Sequence, residues 1–317
     1  NGNADNSTWW ATPKGRKIAR PRLVFLNKCE NVTFHGVRTG NSASWNLHPF
    51  FSKNLAFYDI GVKCPANAPN TDGLDPESCD NVRIIGCKFS VGDDCCAIKS
   101  GKLYMGKTYK TPATRHTLRN NLFRDGHGAI VLGSEMSGGV KELTVGQCLF
   151  MNTDRGLRIK SRRGSKDGII DGVCFENIKM IGVKTPLVIN MYYFCDPDGR
   201  SEFVWAHDKN IPVDDGTPYM GKFTFKDIEC KDCEVMAAYF DGLAELPIKE
   251  IRIENVSFGF KNDAQPDLPA MALRVEKHCR EGIYADNVEK LILKNVTFDN
   301  VSGEEIILKD VGELVKE

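Results

Sequence analysis

The sequence of 317 residues has no excess of charge of either sign, since 42 Lys and Arg balance 42 Asp and Glu. A neutral chain offers no electrostatic footprint for nucleic acid or for an anionic membrane surface. Long hydrophobic runs are missing too: stretches such as 186–190 and 305–308 fall far short of the roughly 20 apolar residues that span a bilayer as a helix, so no membrane crossing is expected. The chain starts at Asn1, and its first ten residues carry neither a basic segment nor an apolar one, so no signal peptide is visible. Paired cysteines at metal spacing are absent; Cys230-Lys-Asp-Cys233 is a lone CxxC whose flanks read as strand and turn, not as a helix N-terminus that would lower a thiol pKa. Neither a metal nor an organic cofactor is expected. The composition, 41% hydrophobic and 26% charged, excludes disordered and collagen-like chains.

No stretch reads as a long amphipathic helix either. In its place one pattern recurs: apolar-x-apolar-x-(Gly, Asp, Asn or Gln)-apolar-x-apolar, with copies beginning at Val32, Leu55, Val82, His116, Leu143, Val173, Phe223, Ile251 and Leu291. The copy at His116 is the weakest, because His116 and Asn121 stand at nominally apolar places. Alternation at period two means strand, and the fifth position takes residues that tolerate left-handed backbone angles, so two short strands should meet there at a corner. The copies suit one coil of roughly 20 to 30 residues with loop insertions, whereas a β-propeller blade needs about 40 or more. The fold class that follows is all-β, a parallel β-helix in which each coil adds one strand to each of several sheets, with 1–317 as a single domain. Cys87, Cys148 and Cys230 fall on apolar places of the repeat, which predicts buried free thiols and would suit a reducing compartment.

Consecutive coils carry polar groups where a solenoid would otherwise have plain turns: Asn70-Thr71-Asp72, Gly92-Asp93-Asp94, Gly126-His127-Gly128 and Arg158-Ile159-Lys160. Aligning the strands that follow puts Asp72, Asp94, His127 and Arg155 in one column, and Trp45 one coil earlier. Trp45 then reads either as a platform for a sugar ring or as a partly buried coil-end residue. Clustered carboxylates raise one another's pKa, a cost that suits acid and base chemistry. Glycoside hydrolysis needs one carboxyl to protonate the leaving oxygen and another to activate water, at roughly 6.5 to 9.5 Å for inversion. Arg158 and Lys160, two apart on a strand, share a face and could hold a carboxylate of the substrate, which would make the sugar a uronic acid. Asp75 and Lys99 lie near the same column.

Taken in this order, the four motifs resemble the polygalacturonase family of glycoside hydrolases, family 28, over nearly the whole chain. The resemblance implies a right-handed parallel β-helix and inverting hydrolysis of α-1,4 bonds in galacturonan. It implies Asp93 as general acid, Asp72 and Asp94 as holders of the nucleophilic water, and His127 as the group that tunes the acid. Arg158 and Lys160, with Asn70, are implied to bind galacturonate. The phrases 70–78 and 132–139, and Asn1-Gly2-Asn3 with Trp9-Trp10, are similar to the bacterial and plant-type exo-acting branch. The insertion 101–114 and the aromatic-rich interval 191–220 could close one end of a cleft. Alternatives are an endo-acting enzyme, a rhamnogalacturonan or xylogalacturonan hydrolase, a pectate-type lyase and a noncatalytic carbohydrate-binding solenoid. Family members have more coils before the Asn-Thr-Asp motif, so N-terminal coils are expected to be missing here. The expected partner is an acidic poly- or oligosaccharide, galacturonan or pectin. Compartment and oligomeric state stay open: the family's polymeric substrates suit export, and the thiols suit the cytoplasm.

Overall fold

The computed structural model describes residues 8–11, 20–164 and 168–317. Asn1-Gly2-Asn3 lies outside them, while Trp9 and Trp10 belong to a short helix, Thr8–Ala11. None of the described helices is long and apolar enough to cross a membrane.

Every repeat copy stacks on the next in parallel register. Val32 pairs with Leu55, Leu55 with Val82, Val82 with His116, His116 with Leu143 and Leu143 with Val173. The ladder continues through Phe223, Ile251 and Leu291 to Leu314, which lies beyond the nine copies. A second ladder forms after the corner, for example Val62, Phe89, Phe123 and Phe150. A third carries Cys96, Ile130, Leu157, Leu187, Ala238, Ile283 and Ile306. The result is a parallel β-helix.

The corner obeys the sequence pattern at every copy. Gly36, Asp59, Gly86, Asn120, Gln147, Asn177, Asp227, Asn255 and Asn295 all have φ between 48° and 70°, the left-handed region that a chain of L-residues reserves for sharp bends. A second left-handed column was not foreseen. It immediately precedes the first six copies as Asn31, Asn54, Asn81, Arg115, Glu142 and Gly172, and at these points the pairing skips a residue, as between Asp80↔Thr114 and Val82↔His116.

The interior is a continuous apolar column from Leu47 to Leu293. Phe89 stacks on Phe123 at 5.4 Å, and Phe123 meets Phe150 edge-on at 5.5 Å. Cys87, Cys148 and Cys230 are buried in it as free thiols, and burial pushes the Cys148 thiol up to about 11. Cys233, the other half of the lone CxxC, is likewise a buried thiol. The two misfits of the His116 copy part ways. Asn121 is buried with its amide satisfied, accepting from Cys87 N at 2.8 Å and donating to Ile84 O at 2.8 Å, whereas neither ring nitrogen of buried His116 makes a well-formed hydrogen bond.

Two insertions leave the third ladder. Residues 101–114 contain the helix Tyr104–Tyr109, and residues 191–220 contain the helix Glu202–Trp205. They are clasped together by Lys102–Asp196 at 2.5 Å and by Lys107–Asp215.

Candidate active site

The third ladder brings the polar motifs together. Leu74 bridges Cys96 in parallel, so Asp72 and Asp94 are neighbours on adjacent coils, with Trp45 one coil before them. Trp45 itself is half-buried and engaged by cations, with Arg22 4.7 Å and Lys99 4.6 Å from its ring. One expected alignment needs correction. Cys96 pairs with Ile130 and Ile130 with Leu157, so Gly128 and Arg155 align with Asp94, and His127 falls one residue earlier, between Asp93 and Asp154. The reason is space. A Cβ at Gly128 would lie 2.5 Å from Val131 Cγ2 and 3.3 Å from Arg158 Cβ, and Arg158 needs that passage to reach Asp94.

Asp72, Asp93 and Asp94 each present a carboxylate oxygen, all within 4.8 Å of one another. Their settings differ. Asp94 is 1% exposed; Arg158 donates to its Oδ1 at 3.0 Å and Lys160 to its Oδ2 at 2.7 Å. Burial pushes Asp94 up, but Lys160 and Arg158 overcome it and hold the group well below the usual carboxylate range. Asp72 is pushed the other way, well above that range, by burial first and then by Asp75 and Asp93. Asp93 is half-buried, with Oδ2 accepting from the Asn70 backbone N at 3.1 Å and Oδ1 from Asp94 N at 2.9 Å. Asn70 therefore positions Asp93.

His127 stands at the exposed rim, its Nδ1 2.8 Å from Asp154 Oδ2. That hydrogen bond outweighs partial burial and, with help from Asp93, raises the imidazole's pKa. Lys99 is buried beneath the cluster, 3.0 Å from Glu135 Oε2; burial opposes its charge, but Glu135, Asp75 and Asp72 hold it protonated. Asp75 is fully buried, and neither of its oxygens has a hydrogen-bond partner.

The arrangement thus holds one carboxylate firmly ionised, one buried carboxyl disposed to keep a proton, and one accessible carboxyl between them. The spacing is shorter than the roughly 6.5 to 9.5 Å expected for inversion, so distance alone does not support that outcome. Asp72 and Asp94, at 4% and 1% exposure, lie deeper than half-buried Asp93. The cluster could also hold a cation, though both Asp94 oxygens already have protein cations as partners.

Sequence reasoning missed Asp154, although Asn152-Thr153-Asp154 repeats the Asn70-Thr71-Asp72 tripeptide one register position away. It also missed the wall formed by residues 261–280. Arg155 donates to Leu268 O at 2.8 Å, Asn190 to Met271 O at 3.1 Å, and Lys184 bridges Asp154 and Asp267. The long interval between the copies at Ile251 and Leu291 was the available signal.

Residues 1–257 match the family described as Glycosyl hydrolases family 28. A "Probable polygalacturonase" of Vitis vinifera is 31% identical over 262 residues, covering 81% of this chain and 51% of the relative. An "Endo-polygalacturonase" of Pectobacterium carotovorum subsp. carotovorum is 38% identical over 194 residues, 59% of this chain and 45% of the relative. Among solved structures, an exopolygalacturonase from Thermotoga maritima superposes with a TM-score of 0.73 at 27% identity, covering 90% of this chain and 56% of that one. The chain spans about half the length of the curated relatives it matches.

Proposed function

The chain belongs to glycosyl hydrolases family 28, and on that premise we propose that it hydrolyses α-1,4-galacturonosyl bonds in galacturonan with inversion, acting from a chain end. The observation that carries the hydrolytic reading is the set of three carboxyl groups within 4.8 Å, two of them held by their surroundings in opposite protonation states.

In this reading Asp93 is the general acid, because it alone of the three is accessible. The proton it gives to the leaving oxygen is replenished from Asp72, which burial, Asp75 and Asp93 keep disposed to hold one. The attacking water is held on the buried side by ionised Asp94 and by Asp72, which becomes ionised on handing its proton to Asp93 and then takes the proton that the water loses. His127, whose bond to Asp154 favours its charged form, lends positive charge beside Asp93. Arg158 and Lys160 have donors beyond those that Asp94 uses, and with Asn70 at the cleft they would receive a galacturonate carboxylate.

Two features support the exo mode. The insertions 101–114 and 191–220 are clasped together, and the segment 261–280 is tied to Arg155 and Asn190 of the third ladder and to Tyr193 of the second insertion. Segments tied in this way would close one end of a cleft, which then admits a chain end more readily than a chain middle. Chromatography of polygalacturonate and oligogalacturonide digests over time tests this. Monomer alone from the outset, abolished in Asp93→Asn, is the expected result. A ladder of oligomers would make the enzyme endo-acting, and no product from the unaltered chain would favour a binding solenoid.

A further inference from the structure

Farther along the third ladder, the column of Lys160 continues through Asn190 to Asp241, Asp286 and Lys309. Asp241 is two strands from Lys160, about 10 Å at the usual strand spacing. The two aspartates border a cavity of about 630 Å³. They are 2% and 6% exposed, a costly setting for adjacent carboxylates unless something compensates.

The protein supplies only half of the compensation. Tyr239 and Tyr284 stack at 5.1 Å, and their hydroxyls donate to Asp241 Oδ2 at 2.8 Å and Asp286 Oδ2 at 3.2 Å. Oδ1 of each aspartate is buried and accepts no hydrogen bond from the protein. Among the described residues no Lys or Arg pairs with either: Lys309 sits over the Tyr284 ring at 5.2 Å, and Arg274 over Trp205 at 3.5 Å. The third polar group is His207, which comes from the insertion 191–220. Its ring lies flat on Tyr192 at 4.0 Å, and its Nδ1 is 4.0 Å from Asp241 Oδ1 and 3.8 Å from Asp286 Oδ2.

We propose that His207, Asp241 and Asp286 form a binding site for one divalent cation of the Zn²⁺ or Mn²⁺ class, separate from the carboxyl cluster of the cleft. Ligands at about 2.0 to 2.2 Å from such an ion stand some 3 to 4 Å apart, and the three donor atoms all lie within 4.8 Å of one another. One imidazole nitrogen with two carboxylate oxygens suits a borderline ion better than Ca²⁺ or Mg²⁺, which favour all-oxygen shells. The tyrosine hydroxyls serve as the outer shell that orients the carboxylates. Since His207 lies on an insertion and the aspartates on strands, the ion would staple the insertion to the solenoid.

The test is titration calorimetry of the chelator-treated full chain with ZnCl₂, with MnCl₂ and with MgCl₂, beside His207→Ala, Asp286→Asn and Asp93→Asn. Expected are one equivalent bound by the unaltered chain and by Asp93→Asn, and affinity at least about 10-fold weaker in the other two. Asp286→Asn can keep its bond from Tyr284, and equal melting temperatures of the metal-free proteins establish that the variants are folded. Absence of binding to the unaltered chain, unchanged affinity in His207→Ala, loss of binding in Asp93→Asn, or equal affinity for Mg²⁺ would each overturn the proposal.

Discussion

Asp154 is the residue through which the cleft should respond to pH. Its carboxylate raises the pKa of His127, so the imidazolium persists to higher pH than a free histidine would allow. Asp154→Asn removes that support. The basic limb of kcat/KM against pH on trigalacturonide is expected to move to lower pH, with the protein still folded; an unmoved limb would mean that His127 charge is irrelevant to turnover. His116 makes the opposite case, because burial depresses its pKa to about 4. Its stabilising contribution is complete above the unfolded value of 6.5 and is lost as pH falls toward 4, by up to about 1.4 kcal/mol per pH unit. His116→Leu, matching Leu143 beside it in the ladder, should gain stability over the parent at pH 5 and less at pH 7.5 in urea denaturation. Parallel pH dependence of the two proteins would refute this. At this scale the residues of the proposed site could be picked out because four motifs fell in sequential order, and the fold brings Asp72, Asp93 and Asp94 together. Asp154 was not, since its role depends on a one-residue register offset that Gly128 imposes by having no side chain.

Among the elements, corners and ladders divide the stabilising work. Asn81 is left-handed at φ 55 and donates to Asn54 Oδ1 at 2.8 Å, and Asn54 in turn to Asn31 at 3.0 Å. Asn81→Ala loses the bond and strains the backbone, an expected cost of about 1 to 2 kcal/mol; Asn81→Gly should cost less because it keeps the angle. Phe123 sits between Phe89 and Phe150 and is fully buried, so Phe123→Ala should cost about 3 to 5 kcal/mol. Chemical denaturation measures all three, and a Phe123→Ala cost below that of Asn81→Ala would place the stability in the corners. The first corner column could be read from sequence because Gly, Asp, Asn and Gln mark it. The second was hidden at Arg115 and Glu142, whose residue types carry no turn preference; there the stacking of neighbouring coils overrides local propensity.

For the molecule as a whole, the β-helix was legible because a solenoid writes its core as a repeat, each coil burying its face on the next. The walls of the cleft were legible only in part. Insertions 101–114 and 191–220 stand out by length, but the tie of 261–280 across Arg155 and Asn190 joins residues far apart in sequence through backbone carbonyls, which leave no mark in residue type. The same holds for the proposed cation site, whose three residues come from an insertion and two separate strands. Proton NMR of trigalacturonide during the first turnovers tests directly whether the three-carboxyl cleft hydrolyses a galacturonosyl bond with inversion. Inversion by this cleft predicts that the β-anomer of galacturonate appears first, with the signal lost in Asp93→Asn. An α-anomer appearing first, an unsaturated product, or full turnover in Asp93→Asn would contradict it.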